Sequence, residues 1–224
     1  NSGLTLGQQG GIINIDGLTI DTEQIGAAVH PAVLINQAAA NIHDLTMTGN
    51  HSGLQWDGQN HNNYPSQLSN SEFSGSGCIV LSNHHDLFGV GNTIAPECTG
   101  TVQLVNSQVN WSGLTDASSS GTILQLDSNS DLHLHQPANV DLNLSYPSMA
   151  SGATIDVAYD LIVWVVNNNS NGIPSANVDV TFSQFEPTVQ DSTNGLGYLT
   201  LTYFIGERWT NTGSSPSTDA SVSC

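Results

Sequence analysis

The stretch "DSNSD" places Asp127, Asn129 and Asp131 at alternate positions. Three oxygen-bearing side chains at that spacing resemble the ligands of a calcium loop, because Ca²⁺ collects carboxylate and amide oxygens. The stretch lacks the glycine and the bidentate glutamate of an EF-hand. Asp131 also falls on a repeated Asp-Leu position, so a plain polar corner accounts for it without an ion. His133 and His135 alternate on one strand face, a spacing that suits zinc or copper if further ligands join them. No further ligand is evident from spacing, and solvent-facing polar positions are the favoured reading. His43 and His85 each precede an aspartate, Asp44 and Asp86, and are expected to stack. Of the three cysteines, Cys78 and Cys98 lie twenty apart with a loop between them and are expected to pair. Cys224, the last residue, is left free or bonded to something beyond this chain.

Composition narrows the chemistry further. The 224 residues are 38% hydrophobic, enough for a sizeable core, but only 9% are charged. Arg208 is the sole basic residue besides histidine, against 19 acidic ones, which gives a formal charge of −18. One arginine cannot displace the counterions of a nucleic acid, nor hold an anionic lipid surface. No apolar run approaches the roughly 20 residues that span a bilayer, so membrane insertion is not expected. Without lysine, neither an internal Lys–Asn isopeptide bond nor a sortase-type linkage through lysine can form. A surface of Asn, Ser, Thr, Gln and Gly suits an extracellular or cell-surface protein. The chain begins at Asn1 without methionine, as expected of a processed piece of a longer product. Sequons at Asn50, Asn110, Asn143 and Asn168 are glycosylation candidates in that setting. Trp56, Trp111 and Tyr64 are candidates to stack on sugars, although such residues more often cover a core.

These residues sit in a repeating frame. "CIVLSNHHDLFGV" (78–90) and "ILQLDSNSDLHLH" (123–135) share alternating apolar residues, a polar corner and Asp-Leu. Similar segments recur with anchors at Leu18, Leu45, Ser71, Leu87, Ser107, Leu132 and Leu142. A second short strand precedes each corner from the second onward, at 33–35, 53–56, 79–81, 102–104 and 123–126. One such strand cannot bury its apolar face alone, but stacked coils can. The expectation is that Leu45, Leu87 and Leu132 form one internal column, with corner Asn residues in left-handed conformations bonded to their neighbours above and below. The pattern resembles the right-handed parallel β-helix of pectin-lyase-like proteins over about residues 10–149. The resemblance implies polysaccharide chemistry, for which lyases of the fold use Arg or Lys, often with calcium. Hydrolases of the fold use an Asp cluster with His and a cation, in motifs absent here. An enzyme is therefore not expected.

The pattern changes near Ser148. A long alternating strand, "ATIDVAYDLIVWVV", leads to a turn, a strand "VDVTF", a polar loop and "TNGLGYLTLTYF". Gly172, Pro174 and Val178, then Thr193, Asn194 and Gly197, resemble motifs of carboxypeptidase-regulatory-like and bacterial Ig-like domains. The tail "TNTGSSPSTDASVSC" (210–224) reads as a final strand, a linker or an arm for another subunit. The chain is thus expected to be all-β: a right-handed parallel β-helix (1–149) followed by a small Ig-like β-sandwich with a C-terminal tail (150–224). The function this favours is an extracellular structural subunit of a surface layer or filament, self-associating into a polymer and needing no cofactor. A carbohydrate-binding adhesin with cell-surface glycans as partners, and a polysaccharide lyase or hydrolase, are the alternatives.

Overall fold

A computed structural model describes residues 3–7, 12–22, 30–58, 66–118, 123–140, 142, 148–216 and 220–224. The chain divides into two compact units, one of residues 1–155 with 210–212 and one of 156–209 with 213–224.

The first unit is a parallel β-solenoid with three sheets, built from short strands. The first sheet stacks Leu4–Gly7, Val33–Asn36, Leu54–Asp57, Ile79–Ser82, Thr101–Val105, Ile123–Leu126 and Ser148–Met149 in chain order. The second stacks Ile12–Asp16, Ala39–His43, Ser66–Ser69, Leu87–Val90, Gln108–Ser112 and Asp131–His135. Along the third lie Thr19–Thr22, Thr46–Gly49, Glu72–Phe73, Thr93–Ile94 and Thr115–Asp116. One strand from each sheet makes a coil, so the described residues form five complete coils, two strands of a sixth, and the strand Ser148–Met149 stacked on it.

Period-two alternation decides which side chains enter the interior. Ile35, Trp56, Leu81, Leu104 and Leu126 form one buried column on the first sheet. On the second sheet the inner column runs Ile15, Ile42, Leu68, Gly89, Trp111 and Leu134. Trp111 fits because its neighbour is glycine: a Cβ on Gly89 would stand 2.4 Å from the indole Cδ1. Small beside large keeps the coil spacing even.

The twin sentences are in register two coils apart, with "TVQLVNSQVNWSG" between them: Leu81 pairs with Leu104, which pairs with Leu126, and Leu87 pairs with Val109, which pairs with Leu132. Leu45 is a correction to the expected column. It is fully buried, like Leu87 and Leu132, but stands one corner later, just before Thr46 on the third sheet. The anchors 18, 45 and 71 mark the second corner, whereas 87 and 132 follow the first. The short step from Ser71 to Leu87 is where the alignment crossed from one corner to the other. For the same reason His43 and His85 sit on different corners and do not stack.

The corners use the expected chemistry. Gln37, Asn83 and Asn106 at the first corner, and Asp44, Asn70 and Gln136 at the second, have left-handed φ of 48–57°. Asn106 donates its amide to Asn83 (2.9 Å), and Asn83 donates to Asp57 (3.0 Å), which makes an external ladder across three coils. Inside, the Ser107 hydroxyl accepts from the His84 backbone N–H, and Ser130 Oγ accepts from that of Ser107. These bonds satisfy corner amides that would otherwise be buried without partners. Cys78 and Cys98 are disulfide-bonded with Cα atoms 5.4 Å apart, tying the connections on either side of the fourth coil. At the last anchor of the repeat, Leu142 is buried, and 141 and 143–147 lie outside the described residues.

The second unit is antiparallel where its pairing is resolved. Asn177–Phe182 lies between Val189–Ser192 and Ala220–Ser223, so the tail supplies a final strand. Thr154–Trp164, Tyr198–Thr210 and Gly213–Pro216 are hydrogen-bonded neighbours in that order. Val178, Val180, Phe182 and Leu199 form the core, covered by Leu161, Val163, Val165 and Phe204 among others. The two glycine motifs meet each other: a Cβ on Gly197 would lie 2.6 Å from the Gly172 Cα, and one on Gly172 would lie 2.0 Å from the Leu196 carbonyl oxygen. Thr193 Oγ1 donates to the Ile173 carbonyl and accepts from the Ala176 N–H, locking the same turn. Arg208 grips the buried Asp156 with Nε at 2.6 Å and a terminal nitrogen at 2.8 Å, and its guanidinium lies 4.8 Å from the Phe185 ring centroid.

Candidate functional site

The proposed calcium ligands are occupied by the fold. Both oxygens of Asp127 accept from the Asn106 N–H at 3.0 Å, and Oδ1 also accepts from the Asn129 N–H and the Ser130 hydroxyl (2.6 Å). Burial pushes the Asp127 pKa up, but these hydrogen bonds outweigh it and leave the carboxyl below its usual range. Asp131 accepts from Thr154 Oγ1 at 2.6 Å, and Asn129 is exposed on the turn. The geometry is that of a corner whose carboxylates cap backbone and hydroxyl donors.

His133 and His135 both face outward on the second sheet, as their spacing predicted. His133 follows Asn110 in one column and His135 follows Ser112 in the next, with Nδ1 of His135 3.1 Å from Ser112 Oγ. Trp56 and Trp111 correct the sugar-stacking expectation. They are 1% and 0% exposed, and Trp56 donates its indole N–H to the Ala38 carbonyl. Rings inside a coil offer no face to a saccharide. Tyr64 and Asn143 lie outside the described residues. Asn50 and Asn168 are exposed, and Asn110 donates to Asp86 Oδ1 at 3.2 Å from an outward strand position. Cys224 is exposed and free.

Two buried histidines are new features. His84 lies edge-on to Trp56 with ring centroids 4.6 Å apart, and its Nε2 is 3.3 Å from the Trp56 carbonyl. Desolvation lowers its pKa to about 4, against smaller upward pulls from that carbonyl and from Asp57. His51 accepts from the Gly53 N–H at Nδ1, so its proton sits on Nε2, 3.3 Å from Ser74 Oγ. Ser74 in turn donates to the Met47 carbonyl. A base that already carries its proton toward the hydroxyl cannot activate it, so this Ser–His pair is structural.

One exposed cluster escaped the sequence reading. Asp16 and His43 are register partners on adjacent coils, and the left-handed corner at Asp44 turns a second carboxylate back on the same ring. His43 Nδ1 lies 3.2 Å from Asp16 Oδ1 and 3.0 Å from Asp44 Oδ2. Only an alignment made corner by corner would have put these three together.

The second unit carries a different kind of surface. Leu161, Val163 and Val165 pack on its core, so Ile162, Trp164 and Val166 project to the other side. They are exposed, as are Ile173 and Leu196, the latter at 72%. Trp164 stacks on Tyr198 with centroids 5.5 Å apart and planes 13° from parallel. Compared with protein-family models, with curated proteins and with solved structures, the chain finds no match.

Proposed function

We propose that this chain is an extracellular structural protein, a subunit of a surface layer or filament held together by protein–protein contacts. The observation that carries the reading is the uncharged outward row Ile162, Trp164 and Val166 with Tyr198 beside it. A row of large apolar residues left in water is costly for an isolated molecule and typical of an association surface. The all-exposed terminal strand Ala220–Ser223 adds an unprotected sheet edge of the kind that pairs with another chain. Secretion is supported by the Cys78–Cys98 disulfide and the amide-rich surface. Among the described residues no helix is long and apolar enough to cross a membrane. In this reading the solenoid is a right-handed, pectin-lyase-like β-helix and the second unit an Ig-like domain, as in large prokaryotic surface proteins. The exposed Asn50 and Asn168 are its glycan sites.

Electron microscopy and sedimentation of the purified chain test the proposal. Ordered assemblies are expected, and they should grow with salt, because screening relieves the repulsion between copies of charge −18. The double variant Ile162→Thr, Trp164→Ser should remain folded and monomeric. Dispersed wild-type monomers at high concentration and salt would sink it.

The stacked Trp164–Tyr198 pair favours one second reading, a carbohydrate-binding adhesin, since flat exposed rings also suit sugar faces. A glycan array with Trp164→Ala as control separates the two: glycan binding lost in the variant, without assembly of the wild type, selects the adhesin.

A further inference from the structure

The first coil is the least protected part of the solenoid. Its strands Leu4–Gly7, Ile12–Asp16 and Thr19–Thr22 each stand at the end of their sheet. Leu4, Leu6, Ile13 and Ile20 point inward but are only half-buried. Their partners one coil on, Val33, Ile35, Ala40 and Met47, are buried. An outer coil that among the described residues has a neighbour on one side only should fray first.

Asp16, His43 and Asp44 bridge that junction. One ligand atom from each residue lies within 4.8 Å of the others. The equivalents of Asp16 and His43 in later coils are Ser69, Val90, Ser112 and His135. The left-handed corner position, Asp44 here, is elsewhere taken by Gly17, Asn70, Gly91, Gly113 and Gln136. The carboxylate–imidazole–carboxylate set is therefore no by-product of the repeat. The ring is steadied from the third coil, where the Asn70 amide lies 3.2 Å from Nε2. With that amide turned so that its oxygen accepts an Nε2 proton, the Nδ1 lone pair faces both carboxylates, as in metal-bound imidazoles held by an outer partner. One nitrogen and two carboxylate oxygens, all at the surface with room for water, suit a first-row divalent transition ion better than calcium or magnesium.

We propose that Asp16, His43 and Asp44 bind a divalent transition-metal ion that clamps the outermost coil to the second. The full chain is titrated with Zn²⁺ by calorimetry, and hydrogen exchange is followed with and without the metal. One site is expected whose occupation slows exchange in residues 12–22 at least tenfold. Asp16→Asn and His43→Gln should each weaken it tenfold or more. The double variant His133→Gln, His135→Gln should change it less than twofold, and millimolar Ca²⁺ should not displace the ion. Binding that survives His43→Gln, a site that takes only Ca²⁺, or unchanged exchange in residues 12–22 would each overturn the clamp. Should a variant misfold, Co²⁺-induced NMR shifts in the wild-type chain locate the ion directly, and shifts centred away from residues 16, 43 and 44 refute the assignment.

Discussion

The solenoid and the antiparallel unit solve the same burial problem by opposite means. In the solenoid inward positions meet inward positions one coil away, so apolar columns fill the interior and amides ladder along the corners. All eight histidines lie in this part of the chain, and two of them, His51 and His84, are buried as neutral rings. The antiparallel unit holds the chain's single arginine and uses it on the buried Asp156, 52 residues away. It also leaves a row of large apolar side chains in water, whereas the solenoid's exposed large hydrophobics are Ile12, Phe88 and Val90 among the described residues. Self-similar stacking thus fills the solenoid with like residues and corner hydrogen bonds, and the unit without repeats adds one specific long-range ion pair.

The contrast can be broken most sharply at Arg208. Arg208→Met strands the Asp156 carboxylate, which is 2% exposed, and is expected to cost about 3–5 kcal/mol. Hydrogen exchange should show lost protection at Val178 and Val180, with the coil amides unchanged. Adding Asp156→Leu should recover most of the loss, since the buried charge is then gone. Next comes the disulfide. Replacing Cys78 and Cys98 with serine should lower solenoid stability by about 3 kcal/mol, read from denaturant midpoints, because a twenty-residue loop is no longer closed in the unfolded chain.

Acid offers a third, smaller probe. His84 takes up no proton in the folded state until about pH 4, whereas the unfolded chain takes one near 6.5. The unfolded state then binds more protons as pH falls, so stability present above 6.5 is lost through the window down to 4. Between pH 6.5 and 5 the expected loss is about 2 kcal/mol, and the lowered pKa of His51 adds in the same direction. Urea titrations at the two pH values should show the loss in the solenoid, and His84→Gln should flatten it. The smallest effect belongs to the ladder. Asn106→Gly keeps the left-handed corner but removes the bond to Asn83, and should cost about 1 kcal/mol in the same titration.

Much of this was legible before any coordinates. The strands at 33–35, 79–81, 102–104 and 123–126 were readable because alternation reports burial directly, and the left-handed Asn corners followed from residue type. The columns were not. Asp-Leu at 44–45 and at 86–87 look alike and both leucines are buried, yet Asp44 is itself the left-handed residue of the second corner, whereas at the first corner that residue is Asn83 and Leu87 opens the next strand.

Residue order alone therefore determined that the chain is all-β, that its first part stacks in short coils, and that Cys78 is placed to meet Cys98. These follow from local periodicity and from how little chain separates the partners. Only the tertiary structure decided that Trp56 and Trp111 are core, that Arg208 meets Asp156, and that Asp16, His43 and Asp44 share one point on the surface. Those outcomes depend on which sheet and which coil a residue occupies, and a period of two says which way a side chain points without saying what it will face.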